Sequence, residues 1–185
     1  MSRQGFLFCF VVAVGLILPN LPGSSAGSCG CPPLWTSFQG MCYRYFTTAN
    51  VTWEEAERQC QSFTKPYWDE GATTGQLGHL VSIHSQEEMD FLITLFESVR
   101  NKRSSSKHLV WIGLNDRATE GSFVWSDGSE VNFTFWRPNE PNNGSLQQHC
   151  GHFRVAHDYK WDDLQCVPNA DFIVESYVCK IGQWL

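Results

Sequence analysis

The chain has 185 residues, and 13 basic against 19 acidic side chains give it a formal net charge of −6. An acidic balance of this kind argues against nucleic acid and anionic membrane surfaces as partners and is compatible with cation binding. The length accommodates one domain.

The chain begins like a secretory precursor. Arg3 supplies a positive start, residues 6–18 form an apolar run of 13, and Ser24-Ser25-Ala26 offers small residues for cleavage. The run is too short for a membrane span, and no later stretch is apolar enough for one. The expected organisation is a signal peptide over 1–26, a short linker over 27–30 and a single domain over 31–182, in a secreted, extracellular protein. Loss of the leader removes one basic residue and no acid, so −6 becomes −7.

Eight cysteines occur, of which Cys9 lies in the leader. Secretion makes disulfides the expected state of the other seven, with one thiol left for an intermolecular bond. A zinc cluster with His149, His152 and His157 is set aside because no Cys-x2-Cys pair exists.

In chain order, Cys31 to Trp35 and Tyr43 to Phe46 read as two short strands around a Gln39-Gly40 turn. Thr52 with Glu55 is a capping box opening a helix to about Phe63, with Trp53, Ala56, Cys60 and Phe63 on one face. Residues 64–78 read as a loop and 79–83 as a strand. Ser85 with Glu88 is a second capping box. Met89, Leu92, Ile93, Phe96 and Val99 then form an apolar stripe at helical spacing, read as core. Residues 101–108, with Lys102, Arg103 and Lys107, read as a solvated loop. Leu109 to Leu114 is strongly β-like, and Phe123 to Trp125 is a strand entering a turn. Regular patterning then disappears from Val131 to Gln148. A loop this long in a compact domain points to function, and the cysteines after it and the aromatics within it argue against disorder. Short strands at 150–156, 161–166 and 177–180 complete an α+β domain.

The segment from Trp136 to Cys166 concentrates side-chain oxygen. Glu140, Asn142, Gln148, Asp162 and Asp163 can all offer it, and calcium takes roughly six to eight oxygen ligands. A cis bond before Pro141 would turn Glu140 and Asn142 toward one point. Trp161, just ahead of the acidic pair, is suited to anchor that strand in the core.

Taken together, the cysteines, the helix with Trp53 and Cys60, Trp111-Ile-Gly-Leu114, Trp125-Ser-Asp-Gly128, Glu140-Pro-Asn142 and Trp161-Asp-Asp163 make the chain resemble the C-type lectin family from Cys31 to Lys180. Within it the chain is similar to small soluble invertebrate lectins of the echinoidin kind. The resemblance implies a C-type lectin-like fold: two helices, two small antiparallel sheets and a long calcium-binding loop. It also implies disulfides Cys31–Cys42, Cys60–Cys179 and Cys150–Cys166. That leaves Cys29, in a flexible stretch, as the device for a disulfide-linked homodimer or oligomer. It implies a calcium ion held by Glu140, Asn142, Gln148, Asp162 and Asp163, with Glu140, Asn142, Gln148 and Asp162 also meeting two neighbouring sugar hydroxyls.

Glu-Pro-Asn resembles the mannose-type signature, whereas galactose types usually carry Gln-Pro-Asp and an aromatic soon after. Two positions depart from the family pattern: Gln148 stands where Glu is usual, and Asp162 where Asn is usual. The exchange leaves the set at −3, so the calcium affinity is expected to persist while the hydroxyls are oriented differently. A second calcium site, matched to Asp116, Glu120, Asn143 and His149, is expected to be weak or empty because nitrogen suits a hard cation poorly. Asn50, Asn132 and Asn143 head glycosylation tripeptides, and a glycan on Asn143 would crowd the proposed pocket.

The sequence therefore reads as a secreted calcium-dependent lectin with glycan ligands. The alternative is a calcium-independent interaction or matrix protein on the same fold. No nucleophile elbow, phosphate loop or His-Glu-x-x-His is present, so no enzyme is expected.

Overall fold

A computed structural model describes residues 30–63, 77–100, 108–169 and 172–182. The expected leader, Cys29, most of the loop read at 64–78 and the basic stretch 101–107 lie outside the described residues. Among the described residues are two α-helices and eight strands. In chain order these are β1 (Thr36–Phe38), β2 (Met41–Thr47), α1 (Trp53–Gln61), β3 (His79–Leu80), α2 (Gln86–Val99), β4 (Leu109–Asn115), β5 (Val124–Trp125), β6 (Cys150–Arg154), β7 (Trp161–Leu164) and β8 (Val174–Gly182).

The strands run β1-β2-β8-β4-β6-β7, with β3 on β8 and β5 on β4. Two antiparallel groups are present, as expected, but they are not separate. A parallel pairing of β4 with β8 joins them into one sheet. That pairing brings residues far apart in sequence side by side, which local patterning does not reveal.

Strand alternation sends side chains to two faces, and each face carries its own core. Leu109 and Trp111 of β4 lie with Trp53, Ala56 and Cys60 of α1 on one side. Val110, Ile112 and Leu114 lie with Met89, Leu92 and Phe96 of α2 on the other. Two tryptophan N–H groups fix these layers: Trp53 Nε1 donates to Ile112 O at 2.8 Å, and Trp111 Nε1 to Val51 O at 3.0 Å. Disulfides Cys31–Cys42, Cys60–Cys179 and Cys150–Cys166 form as expected. The second spans 119 residues, a closure contributing roughly 4–5 kcal/mol in the chain-entropy account.

Both helix starts form where expected. Thr52 and Glu55 make the full reciprocal box. The second box is only half made. Ser85 accepts from Glu88 N at 3.1 Å, but the Glu88 side chain is drawn into a buried cluster. It accepts from His84 N, Tyr43 Oη and Lys180 Nζ at 2.7–2.8 Å. A charged partner inside outweighs a backbone cap. His108, read as part of a solvated loop, is buried, with Nδ1 2.7 Å from Glu175 and Nε2 3.0 Å from Ser176 Oγ.

A second buried acid, Glu57, lies 2.5 Å from His79 Nδ1 and accepts from Leu80 N and Ser126 Oγ, both at 2.9 Å. Burial pushes the Glu57 carboxyl up, but these hydrogen bonds outweigh it and hold it below its usual 4.5. The bond to Glu57 holds His79 above its usual 6.5. A lowered Glu stabilises above its unfolded value, and that support is lost as pH falls through the folded one. A raised His stabilises below its unfolded value, and that support is lost as pH rises through the folded one. The pair therefore supports the fold most between pH 4.5 and 6.5. His79→Gln is expected to flatten the decline of the thermal midpoint between about pH 6 and 8. Equal slopes in the wild type and the variant would count against the pair.

Candidate functional site

The irregular segment after β5 is held to the sheet by aromatic packing and by β7. Trp161 is fully buried and meets Trp125, Phe133 and Trp136 edge-on at centroid separations of 5.6–5.9 Å. Its backbone N–H donates to Phe135 O at 2.9 Å, and its carbonyl accepts from Arg137 N at 2.8 Å. Trp161 is thus the anchor the sequence suggested, and cutting it to alanine would cost roughly 3–5 kcal/mol. The two residues that follow it on β7, Asp162 and Asp163, are consequently placed on a rigid element.

From the loop side, the Glu140–Pro141 bond is cis. Asp163 receives the loop backbone, accepting from Asn142 N at 3.0 Å and Asn143 N at 2.7 Å. One carboxylate oxygen from each of Glu140, Asp162 and Asp163 lies within 4.8 Å of the others. Gln148 and Asn142 complete the ring. Gln148 Oε1 accepts from Gly144 N at 2.6 Å, and Gln148 N donates to Asn143 Oδ1 at 2.9 Å. A Cβ on Gly144 would stand 2.4 Å from Gln148 Oε1 and 3.2 Å from Asn142 Oδ1. A side chain there would displace both of these oxygens from their present positions. All five residues of the expected set line one pocket of about 160 Å³, together with Arg137, His152, Arg154, Leu164 and Phe172.

The electrostatics of this pocket are unbalanced. Burial, then the neighbouring Asp162 charge, pushes the Glu140 carboxyl up to about 7. Burial also raises Asp162. Glu140 Oε2 is enclosed and has no hydrogen-bond donor among the described residues. An enclosed carboxylate oxygen without a donor, beside two further acids, fits a hard cation by donor chemistry. A carbonyl oxygen has two lone pairs, so Gln148 can hold Gly144 N and still offer a ligand atom.

The sequence reading missed Arg137. Its Nη2 donates to Glu140 Oε1 and lies 3.1 Å from Asp162 Oδ2. One guanidinium therefore neutralises part of the −3 counted from the ligands alone. The signal was present: Arg137 stands three residues before Glu140, and Glu140 N closes a turn onto Arg137 O.

The matched second group is only partly assembled. Asp116, Glu120 and His149 converge, with His149 Nδ1 3.1 Å from Asp116 Oδ1 and 3.3 Å from Glu120 Oε2. The imidazole nitrogen occupies the space between the two acids. Asn143, the fourth expected member, has its side-chain oxygen on Gln148 N instead.

Residues 49–180 match the model of the lectin C-type domain. The chain belongs to the C-type lectin family. The chain is 42% identical over 180 residues to an alpha-N-acetylgalactosamine-specific lectin of Patiria pectinifera, covering 94% of each. It is 37% identical to echinoidin of Heliocidaris crassispina, covering 83% of this chain and 98% of the relative. The structure of the C-type lectin CEL-I from Cucumaria echinata is similar at a TM-score of 0.66 and 31% identity, covering 81% and 96%. These relatives are lectins, a non-enzymatic family, so the chain is a C-type lectin and not an enzyme. No helix among the described residues is long and apolar enough to cross a membrane.

Two substitutions separate the roles of the charges. Asp162→Asn restores the residue usual in C-type lectins, yet is expected to weaken calcium binding by about tenfold, because one anion is lost. Arg137→Gln is expected to strengthen it, because a competing cation is removed. Calcium titration by calorimetry measures both. An Asp162→Asn protein with wild-type affinity would show that this carboxylate is not part of the metal's shell.

Proposed function

We propose that this protein is a secreted lectin that binds sugars in a calcium-dependent manner, with a mannose-type preference. The observation that carries the reading is the convergence of Glu140, Asn142, Gln148, Asp162 and Asp163 on one pocket in which Glu140 Oε2 lacks a donor. Calcium, when bound there, supplies a Lewis acid that accepts two neighbouring hydroxyls. The chain's part is to orient them: acids accept the hydroxyl protons, and the amides of Asn142 and Gln148 donate to the hydroxyl oxygens. Asp162 and Gln148 perform these tasks with acid and amide exchanged. The Glu-Pro-Asn tripeptide supports mannose over galactose.

The group formed by Asp116, Glu120 and His149 is proposed as at most a weak second cation site, because a nitrogen faces both acids. Single sugars at one exposed pair of hydroxyls bind on the order of millimolar, about 4 kcal/mol. Useful avidity needs linked sites, for which Cys29 provides a disulfide-linked homodimer or oligomer. Asn50 and Asn132 are exposed and absent from the pocket lining, so glycans there are compatible with binding. Asn143 sits in the site loop, and the reading requires it unmodified.

A second reading, calcium-independent interaction on the same scaffold, is favoured by one observation. Arg137 already serves Glu140 and Asp162 as an internal cation. Chromatography on immobilised mannose separates the two, with an N-acetylgalactosamine resin run in parallel. Retention on mannose in millimolar calcium and release by a chelator is the expected result. Passage through the mannose column, or retention that a chelator does not reverse, would contradict it.

A further inference from the structure

The pocket that holds the carboxylates has a second end of opposite character. His152 pairs with Asp162 across the β6–β7 ladder, so their side chains share one sheet face. Arg154 lies two residues further along β6 and shares that face. Leu164 and Phe172 add an apolar wall. The Arg154 guanidinium makes no hydrogen bond or ion pair with any described residue, and its Nε is enclosed without a partner. His152 is 2% exposed, and its Nδ1 also lacks a partner. Arg137 borders the same space and keeps 37% of its side chain exposed, with its own Nε unpartnered. Burial holds the His152 imidazole well below its usual range, at about 3, so that ring is neutral and carries no charge for an anion. The two arginine Nε–H groups are obligatory donors, and buried donors in folded proteins are ordinarily satisfied, so they call for an acceptor. Guanidinium groups serve carboxylate and sulfate best, through charge-assisted hydrogen bonds.

We propose that Arg154, assisted by Arg137, forms a subsite for an anionic substituent on the bound sugar, the carboxylate of an acidic sugar or a sulfate ester. The assignment rests on the lectin reading and names the ligand class of that site. The volume fits. About 160 Å³ is well below the roughly 300–1,000 Å³ that encloses a drug-sized molecule. It admits a small charged group while the ring stays outside.

Charge makes this subsite conditional. Glu140, Asp162 and Asp163 stand in the same pocket against Arg137 and Arg154, which leaves one net negative charge. An anion is repelled from that arrangement. A divalent cation on the carboxylates reverses the balance to one net positive charge and releases Arg137 from Glu140 and Asp162. Anion recognition therefore follows cation binding and weakens with salt. Neutral-sugar recognition uses the ligand set alone and does not involve Arg154.

The test is calorimetric titration of the full-length protein in calcium with three probes: methyl mannoside, its uronate and its 6-sulfate. At low ionic strength at least one anionic probe is expected to bind about tenfold more tightly than methyl mannoside. The tighter of the two identifies the substituent. Arg154→Gln abolishes the advantage while calcium and methyl mannoside still bind, calcium no more weakly than in the wild type because one competing cation is lost from the pocket. That retained binding also shows that the variant is folded. Arg154→Lys retains part of the advantage. Equal affinity for all three probes overturns the subsite and leaves the lectin reading intact. So does an anion advantage that survives Arg154→Gln. Failure of every probe in the presence of calcium overturns both.

Discussion

Asp163 ties together the two halves of this site. Its two carboxylate oxygens take the backbone N–H groups of Asn142 and Asn143, from a loop with no strand ladder of its own. Loop amides that close to a sheet must find acceptors, and a carboxylate is the strongest acceptor a side chain offers. The same acid then stands beside Glu140 and Asp162. Three like charges in a partly closed pocket repel, and the fold compensates only partly, through Arg137. Glu140 Oε2 is left without a donor. The site is therefore fixed in shape but short of positive charge, which suits a pocket completed by a cation.

The scaffold explains why such a pocket survives. Trp161 immediately precedes Asp162 and is packed among Trp125, Phe133 and Trp136. The acids cannot move without disturbing the core, and the Cys150–Cys166 bridge closes the other end of the β6–β7 pair. Polar site residues held in place by rigid elements are the usual arrangement for binding sites. The two acids inside the fold, Glu57 and Glu88, show the opposite solution. Each is saturated by several donors and presents nothing to a ligand. Their saturation contrasts with the deficit at Glu140.

Much of this was legible in the chain. Helix starts follow from Thr52 and Ser85, which carry their own capping chemistry. The α1 and α2 faces follow from helical periodicity, and the unpatterned stretch from Val131 marked the site because long loops in compact domains usually serve function. What escaped the sequence depends on pairing across distance. The parallel contact of β4 with β8 merges two groups of strands, and no local signal encodes it. Glu88 was read as a cap, but Lys180 reaches it from 92 residues away. Charge was counted over ligands alone, so the Arg137 contribution was missed although it sits three residues from Glu140. His152 and Arg154 became neighbours of Asp162 only through the register of β6 with β7.

The two ends of the pocket give the protein a single electrostatic logic: acids that suit a cation, and guanidinium groups that suit an anion once the cation is in place. The most direct check of the first half is to follow the thermal midpoint of the deglycosylated protein as calcium is added. A ligand at 100 times its Kd stabilises the native state by about 2.7 kcal/mol. The account therefore predicts a saturable rise of several degrees that a chelator reverses. A midpoint that stays fixed from chelator to millimolar calcium would contradict it.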